Sequence, residues 1–562
     1  MTTSAQMGTA KAWLVRLSGP DMGDISLHAK EDALRIGRHD ACEIRLPASA
    51  EKVSRFHARL IYDLHGWQIA DMGSRWGTFV NGYRLEPDRL VPLSEGDLIR
   101  ITPWTFSFSH SQRPNRGLAS IDDSENVQTL VRQIGGDASR KLQDDLLGLL
   151  IEAAAGIHAA EDEHTLAKID LEEACRGSGL TNAAWLRPVD ADGRVEVVAT
   201  RSATDLPQRA ALYSRTLLQT ASQGVVAELE ATNPDAHQSE SIVINRISAA
   251  ICVPLMLGQA IAGYLYLDSR GDMYSQSGQY RGARPNAAAF CLAMGRMASL
   301  ALSNLKRKDI EHRHAVIQAD LQAGAEAQRW ILPKRHGTCG AITYTGESRP
   351  GLHLGGDFFD VIPLDSDRMA VSLGDVTGKG VSASVLMTTT QGFLHAALQQ
   401  HGDPHRAVMD LCRFVHPRRP ESKFVTLWVG VFDAAARTLR YVDAGHGHAL
   451  LIRADGSIEP LSGGGGLPIG ILDESDYDAQ TVALTEGARA LIVSDGIVEQ
   501  MRPALAGESV SADSQFGLEG AAEVLRRTPP DADVIAELFK AVVAHAGCEQ
   551  LSDDATAVLV RW

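Results

Sequence analysis

The sequence predicts a multidomain protein: a β-sandwich, then a central α/β unit, then a C-terminal region in which strands and helices alternate. Three observations predict it. The chain has 562 residues, too many for one hydrophobic core. Between residues 12 and 108, short apolar runs are separated by turn residues every eight to twelve positions. From about residue 138 onward the apolar period switches repeatedly between that of a helix and that of a strand.

Composition limits the function classes. The chain is 44% apolar and 22% charged, ordinary for soluble globular protein. A net charge of −16 and the lack of a long basic run argue against a general nucleic-acid binder. The seven cysteines (42, 175, 252, 291, 339, 412 and 548) form no close pair, so neither a disulfide framework nor a zinc knuckle is expected. A reducing cytoplasm fits that usage. The opening "MTTSAQMGTAKAW" lacks the pattern of a signal peptide. The most membrane-like stretch, residues 249–267, is broken by Pro254, Gly258, Gln259 and Gly263. It reads as two buried strands around a Gly-Gln turn, and no membrane partner is expected.

The elements follow in order. "AWLVRL", "ARLIYDL", "GWQIAD", "GTFV" and "DLIRITPWTFSF" are the strands of the sandwich over 12–108. Residues 109–137 are polar and read as a flexible linker. "LQDDLLGLLIEAAAGIHAA" is helical, and "NAAWLRPV", "VEVVATR", "AAICVPLML" and "AIAGYLYLDS" are strand-like. A long helix is expected over 287–331. In it Ile310, Ile317, Leu321 and Ile331 nearly share a heptad phase, interrupted by His314 and Gly324. A coiled-coil dimer seam and a helix packed on its own domain both fit.

Chemistry concentrates after residue 340. "GGDFFD" carries Asp357 and Asp360 beside a glycine pair. In "VSLGDVTGKG" a strand leads into Gly374-Asp375 and a glycine-rich turn. In "ARALIVSDGIVEQ" Asp495 ends a buried strand, and in "LSDDATAVLVRW" Asp553 and Asp554 precede one. A single strand-end aspartate reads as a turn residue. Four such segments in one region read as a site, because converging carboxylates need a cation to neutralise them. Hard oxygen donors suit Mg²⁺ or Mn²⁺, and no matched His and Cys suggests zinc.

"GGDFFD", "GDVTGKG", "FVTLWVGVFD", "DAGHGHALLI", "GLPIGI", "SDGIVEQ" and "DDATAVLV" follow in the order and spacing of PPM-type metal-dependent serine/threonine phosphatases. The region resembles the bacterial sporulation and stress-response members. The resemblance implies an αββα-layered domain over 335–562 with two Mn²⁺ or Mg²⁺ ions at one edge. It implies that Asp375 bridges the metals, joined by the backbone carbonyl of Val376. Asp495 and Asp553 complete the second metal, with Asp357 bound directly or through water. Asp554 stands where many relatives have asparagine, so the choice between 553 and 554 stays open. The implied reaction is hydrolysis of phosphoserine or phosphothreonine by a metal-bound hydroxide, with no protein nucleophile. Arg349 reads as a surface arginine in preference to a phosphate ligand. Lys379 fits either a solvated lysine or an anion-attracting one. His446 and His448 read as parts of a tight turn.

"LRIGRHDACEIRLP", "VSRFHARL" and "GTFVNG" resemble a forkhead-associated (FHA) domain, which binds phosphothreonine peptides. Arg38 and Ser54 would hold the phosphate and His57 would brace the loop. The family commonly has an asparagine before "GT"; here that position is Trp76, and Asn81 lies in the following Asn-Gly turn. Intramolecular docking is the alternative role. Residues 138–305 resemble a GAF-like sensor, on "AAICVPLMLGQAIAGYLYLDSR", with no ligand indicated. Residues 306–334 then form a connecting helix.

Together these resemblances imply a cytoplasmic bacterial signalling phosphatase. Its partners would be a phosphorylated protein substrate and a phosphothreonine-bearing kinase or kinase target. A homodimer through the GAF-like domain and connecting helix is consistent with this reading. A catalytically silent phosphopeptide scaffold and a small-molecule sensor are the alternatives.

Overall fold

The structure is a computed structural model. It describes residues 11–29, 33–63, 65–111, 131–134, 144–202, 213–229, 247–270, 283–351, 354–378, 380–419, 423–472, 476–503, 514–529, 532–549, 551 and 553–562. The chain divides into two compact units, residues 1–317 and 318–562.

The first unit begins with the expected sandwich. One sheet runs in the order Ile25–His28, Lys11–Ser18, Trp104–Ser109, Leu98–Ile101, Phe79–Val80, Tyr83–Arg84. The other runs Ile44–Arg45, Leu34–Gly37, Ala58–Asp63, Gly66–Asp71, Val91–Pro92. Trp67, Ile69, Trp104, Phe106 and Phe108 fill the space between them. Asn81 and Gly82, both at positive φ, turn the chain between Phe79–Val80 and Tyr83–Arg84. Asn81 is buried, donates to Asp97 at 2.8 Å and accepts from the Leu98 N–H at 2.9 Å, so its role is structural.

The central region holds a six-stranded antiparallel sheet. Its order is Val131–Ile134, Val226–Leu229, Ile247–Leu257, Ala260–Arg270, Asn182–Pro188, Val195–Ser202. The hairpin turns at Gly258-Gln259 as its sequence predicts, with Gly258 at φ 62°. The first strand lies inside the stretch read as linker: Val131–Ile134 pairs with Val226–Leu229, a partner roughly a hundred residues away that local polarity does not reveal. Residues 112–130 and 135–143 of that region lie outside the described residues.

The long helix spans Ala287–Ile331. Its first half is buried against the central sheet. Ile310 packs into the sandwich core instead of forming a free seam. Arg313 donates to the Pro92 carbonyl at 2.8 Å, Ser94 Oγ at 2.7 Å and Asp97 Oδ2 at 2.9 Å. Arg100 donates to both oxygens of Gln259 at 2.7 and 2.8 Å. Sandwich, central sheet and helix are thereby joined.

The second unit has two facing sheets. One is ordered His336–Cys339, Ile342–Arg349, Ala555–Arg561, Arg489–Val493, Ala449–Ile452, Ile458–Pro460. The other is ordered Phe358–Pro363, Arg368–Val376, Val425–Asp433, Thr438–Ala444, Gln480–Ala483. Phe359, Val371, Trp428, Leu451, Ile492 and Val558 fill the interior. Helices Val381–His401 and Pro404–Val415 cover the outer face of the second sheet. Helices Gly517–Arg527 and Val534–Ala546 cover that of the first. Strands buried on both faces read as continuous apolar runs such as "ATAVLV", which is why this region shows little alternation.

Candidate functional site

Three strand ends deliver the acidic cluster. Asp357 immediately precedes strand Phe358–Pro363, Asp375 sits at the end of Arg368–Val376, and Asp495 follows Arg489–Val493. One carboxylate oxygen from each lies within 4.8 Å of the others. Asp357 is buried, and neither of its oxygens has a hydrogen bond of normal geometry. The Ser494 and Thr556 hydroxyls lie near enough to favour its charged form, but burial and the Asp375 charge push its carboxyl well above the usual range. Burial and the Asp495 charge raise Asp375 to about 7. Burial, Asp553 and Glu499 raise Asp495. The cluster is therefore three oxygen donors with too much negative charge and too little solvent.

The two neighbouring aspartates differ. Asp554 is buried and accepts the backbone N–H groups of Gly351 at 2.8 Å and of Gly356, the residue before Asp357, at 2.6 Å. Asp553 is half-buried, and its charge acts on both Asp375 and Asp495. The glycine pair has a steric cause: a Cβ on Gly356 would come within 2.6 Å of the Val376 carbonyl oxygen. That close approach keeps the Val376 carbonyl beside the cluster.

Other residues sort plainly. Asp360 points away from the cluster and pairs with His395 Nδ1 at 2.7 Å. Arg349 lies over the Phe539 ring at 4.3 Å and pairs with Glu347. Lys379 lies outside the described residues. His446 is buried, its ring nitrogen 2.9 Å from the Val493 carbonyl, and burial pushes its pKa down to about 3, so it stays neutral in a turn capped by Asp443.

Sequence reasoning missed three supports. Gln328, on the long helix, donates its side-chain amide to the Gly355 carbonyl at 2.8 Å and accepts the Gly355 N–H at 3.2 Å. Lys423 donates to the Thr377 carbonyl at 2.6 Å, one peptide beyond Val376. Ser494 and Thr556 join the ends of two adjacent strands, with the Thr556 N–H donating to Ser494 Oγ at 2.9 Å. Gln328 falls within "AEAQRWILPKR", but nothing in that segment says that the amide grips a backbone peptide.

In the sandwich, loops 38–42, 49–56 and 73–77 meet. The Arg38 N–H donates to the Ser54 carbonyl at 3.2 Å, and Arg38 is exposed. His57 is buried; its Nδ1 accepts the Ser54 N–H at 3.0 Å and its Nε2 faces the Gly77 carbonyl at 3.3 Å. Burial lowers its pKa, so the neutral ring braces the loops. Ser54 Oγ accepts the Arg75 N–H at 3.2 Å. Trp76 is 46% exposed.

Residues 365–562 match the family of Stage II sporulation protein E (SpoIIE), and residues 34–102 match the FHA domain. Phosphoserine phosphatase RsbU of Bacillus subtilis is 23% identical over 184 residues, 33% of this chain and 54% of that protein. An FHA domain-containing protein of Arabidopsis thaliana is 33% identical over 100 residues, 18% of this chain and 25% of that one. Among solved structures, the phosphatase domain of SpoIIE from Bacillus subtilis is 21% identical, covering 40% of this chain and 94% of that one, with a TM-score of 0.31. The chain spans only about half the length of RsbU, and less of the other curated relatives. The chain carries an FHA domain and, in its second unit, a domain of the Stage II sporulation protein E family.

Proposed function

We propose that the chain is a metal-dependent protein serine/threonine phosphatase, recruited to phosphothreonine by its FHA domain. The observation that carries this is the convergence of Asp357, Asp375 and Asp495, with Asp357 buried and unbonded. Such a carboxylate is costly unless a cation meets it, and the all-oxygen donor set suits Mg²⁺ or Mn²⁺. Asp357, Asp375, Asp495, Asp553 and the Val376 carbonyl would hold two ions. Bound there, the ions would lower the pKa of a shared water and balance the charge of a phosphate. The protein's own part is positional. Asp554 holds the Gly351 and Gly356 peptides, Gln328 the Gly355 peptide and Lys423 the Thr377 peptide. The two Asp554 oxygens already accept the Gly351 and Gly356 N–H groups, which supports Asp553, whose charge acts on Asp375 and Asp495, as the ligand of the pair.

The antiparallel central sheet with its flanking helices supports a GAF-like reading of residues 138–305. Leu147 and Ile151, exposed one turn apart on helix Asp144–Ala159, together with exposed Leu300, support self-association of the first unit. The grip of Gln328 on Gly355 supports control of the cluster through the long helix. The substrate is a phosphorylated protein and the setting cytoplasmic.

The test is hydrolysis of p-nitrophenyl phosphate and of a phosphoserine protein by the full chain with Mn²⁺, against Asp375→Asn and Asp495→Asn. Metal-dependent turnover lost in both variants is expected. Turnover unchanged in both would overturn the two-metal reading, and none in the wild type would leave a phosphopeptide scaffold.

A further inference from the structure

The loop end of the sandwich carries more charge than one phosphate needs. Arg38, Lys52, Arg55, Arg75 and Arg84 are all exposed, and none makes an ion pair among the described residues. Of the acids in the same loops, Asp40 pairs with Arg45 and Glu43 with Arg35, leaving Glu51. The loops are held together: the His39 N–H donates to the Arg55 carbonyl at 3.1 Å and the Arg75 N–H to Ser54 Oγ at 3.2 Å. Arg84 lies against Gly77, where a Cβ would meet its Nε at 2.6 Å. In a chain of net charge −16 this is a concentrated basic face.

Trp76 stands in the middle of it. The Lys52 ammonium lies 5.3 Å from the centroid of its ring, within cation–π range. An indole face cannot take the hydrogen bonds to a peptide backbone that an amide side chain can. It offers flat area and holds a lysine head over its ring. The Ser54 hydroxyl already accepts from Arg75, so its hydrogen is available to an outside acceptor. Recognition here is therefore weighted toward charge and away from backbone bonding.

We propose that this face selects phosphothreonine peptides with carboxylates flanking the phosphate, and that Lys52 and Trp76 are the selecting pair. The proposal rests on the phosphothreonine reading of the FHA domain given above. Arg38 and Ser54 take the phosphate; Lys52, held on Trp76, and Arg55, Arg75 and Arg84 take the flanking carboxylates.

The test uses the full chain in EDTA, so that no peptide is hydrolysed, and fluorescence anisotropy with labelled peptides. One phosphothreonine peptide carries glutamates at its flanks, a second carries glutamines, a third carries glutamates without the phosphate, and a fourth a second phosphothreonine. The glutamate phosphopeptide is expected to bind about tenfold tighter than the glutamine one at low salt, with the gap closing as salt rises to about 0.5 M. Lys52→Gln and Trp76→Ala are expected to lose that preference while keeping affinity for the glutamine phosphopeptide, and Lys52→Arg to keep both. Equal binding of the first two peptides by the wild type, with both lost in Arg38→Ala, overturns this proposal and leaves the phosphothreonine reading intact. Failure of every phosphopeptide overturns that reading as well. Equal binding of the unphosphorylated glutamate peptide would mean a general acid-binding patch, and tighter binding of the doubly phosphorylated peptide would mean a second phosphate; either overturns the carboxylate assignment.

Discussion

At the loop end of the sandwich, Arg38, Lys52, Arg55, Arg75 and Arg84 stand exposed with no ion pair among the described residues; in the second unit, carboxylates converge under cover. Under the proposed function both regions meet a phosphate. The first opposes its charge directly, with guanidinium and ammonium groups. The second shares its sign and needs a cation as intermediary. Exposed recognition of this kind is weakened by salt, whereas a buried carboxylate cluster answers to metal and to its own protons.

The largest effect is expected at Asp375. Asp375→Asn is expected to lower metal-dependent hydrolysis by about a thousandfold or more, as removal of several kcal/mol of metal stabilisation implies. Peptide binding, measured by anisotropy, should not change. In metal-free protein the same change should raise the melting temperature, because a repelling charge is removed from Asp357. At the other site, Arg38→Ala is expected to weaken phosphothreonine binding by about 10- to 100-fold, the worth of a charge-assisted contact. Hydrolysis of p-nitrophenyl phosphate should be untouched.

Next in size is Gly356→Ala. Its methyl would be driven to within 2.6 Å of the Val376 carbonyl. Isothermal titration should show Mn²⁺ affinity falling by about 10- to 100-fold, the usual cost of disturbing a ligand's support.

The pH response separates the two regions further. With Asp375 raised to about 7 and Asp357 and Asp495 also raised, the metal-free cluster keeps protons that the unfolded chain releases near pH 4. Stability of the metal-free protein from this source is fully present below about pH 4 and is lost as pH rises through about 7. Mn²⁺ affinity should move the opposite way, rising with pH across that window as the competing protons leave. Phosphopeptide affinity should instead follow the second ionisation of the phosphate itself, at about pH 6, and do so equally in Asp375→Asn. Smallest is Gln328→Ala, which removes two hydrogen bonds to Gly355 and should weaken Mn²⁺ binding by about tenfold.

Legibility in the sequence followed the range of the interactions. The hairpin around Gly258, the helix over 287–331 and the strand-end aspartates were legible because each is a local pattern of period, turn and charge. The brace at His57 was legible from its motif. The strand Val131–Ile134 was not, since its polarity matches a linker and only its pairing with Val226–Leu229 makes it a strand. Gln328 and Lys423 were not legible either, because each bonds a backbone carbonyl, and a carbonyl leaves no mark in the sequence. The distinct surroundings of Asp553 and Asp554 depend on Gly351 and Gly356, some two hundred residues upstream.

Ile310 in the sandwich core, Arg313 on three of its acceptors and Arg100 on Gln259 have a thermodynamic consequence. The sandwich cannot melt without exposing part of the long helix, nor the helix without disturbing the hairpin Ile247–Arg270. A peptide held at the loops at a hundred times its dissociation constant adds about 2.7 kcal/mol to the folded state. That increment is shared by the whole cooperative body. Amide protons in strand Ile247–Leu257, which belongs to the central sheet, should therefore exchange more slowly when the loops are occupied. The central sheet acts as a passive gauge of what the sandwich has bound.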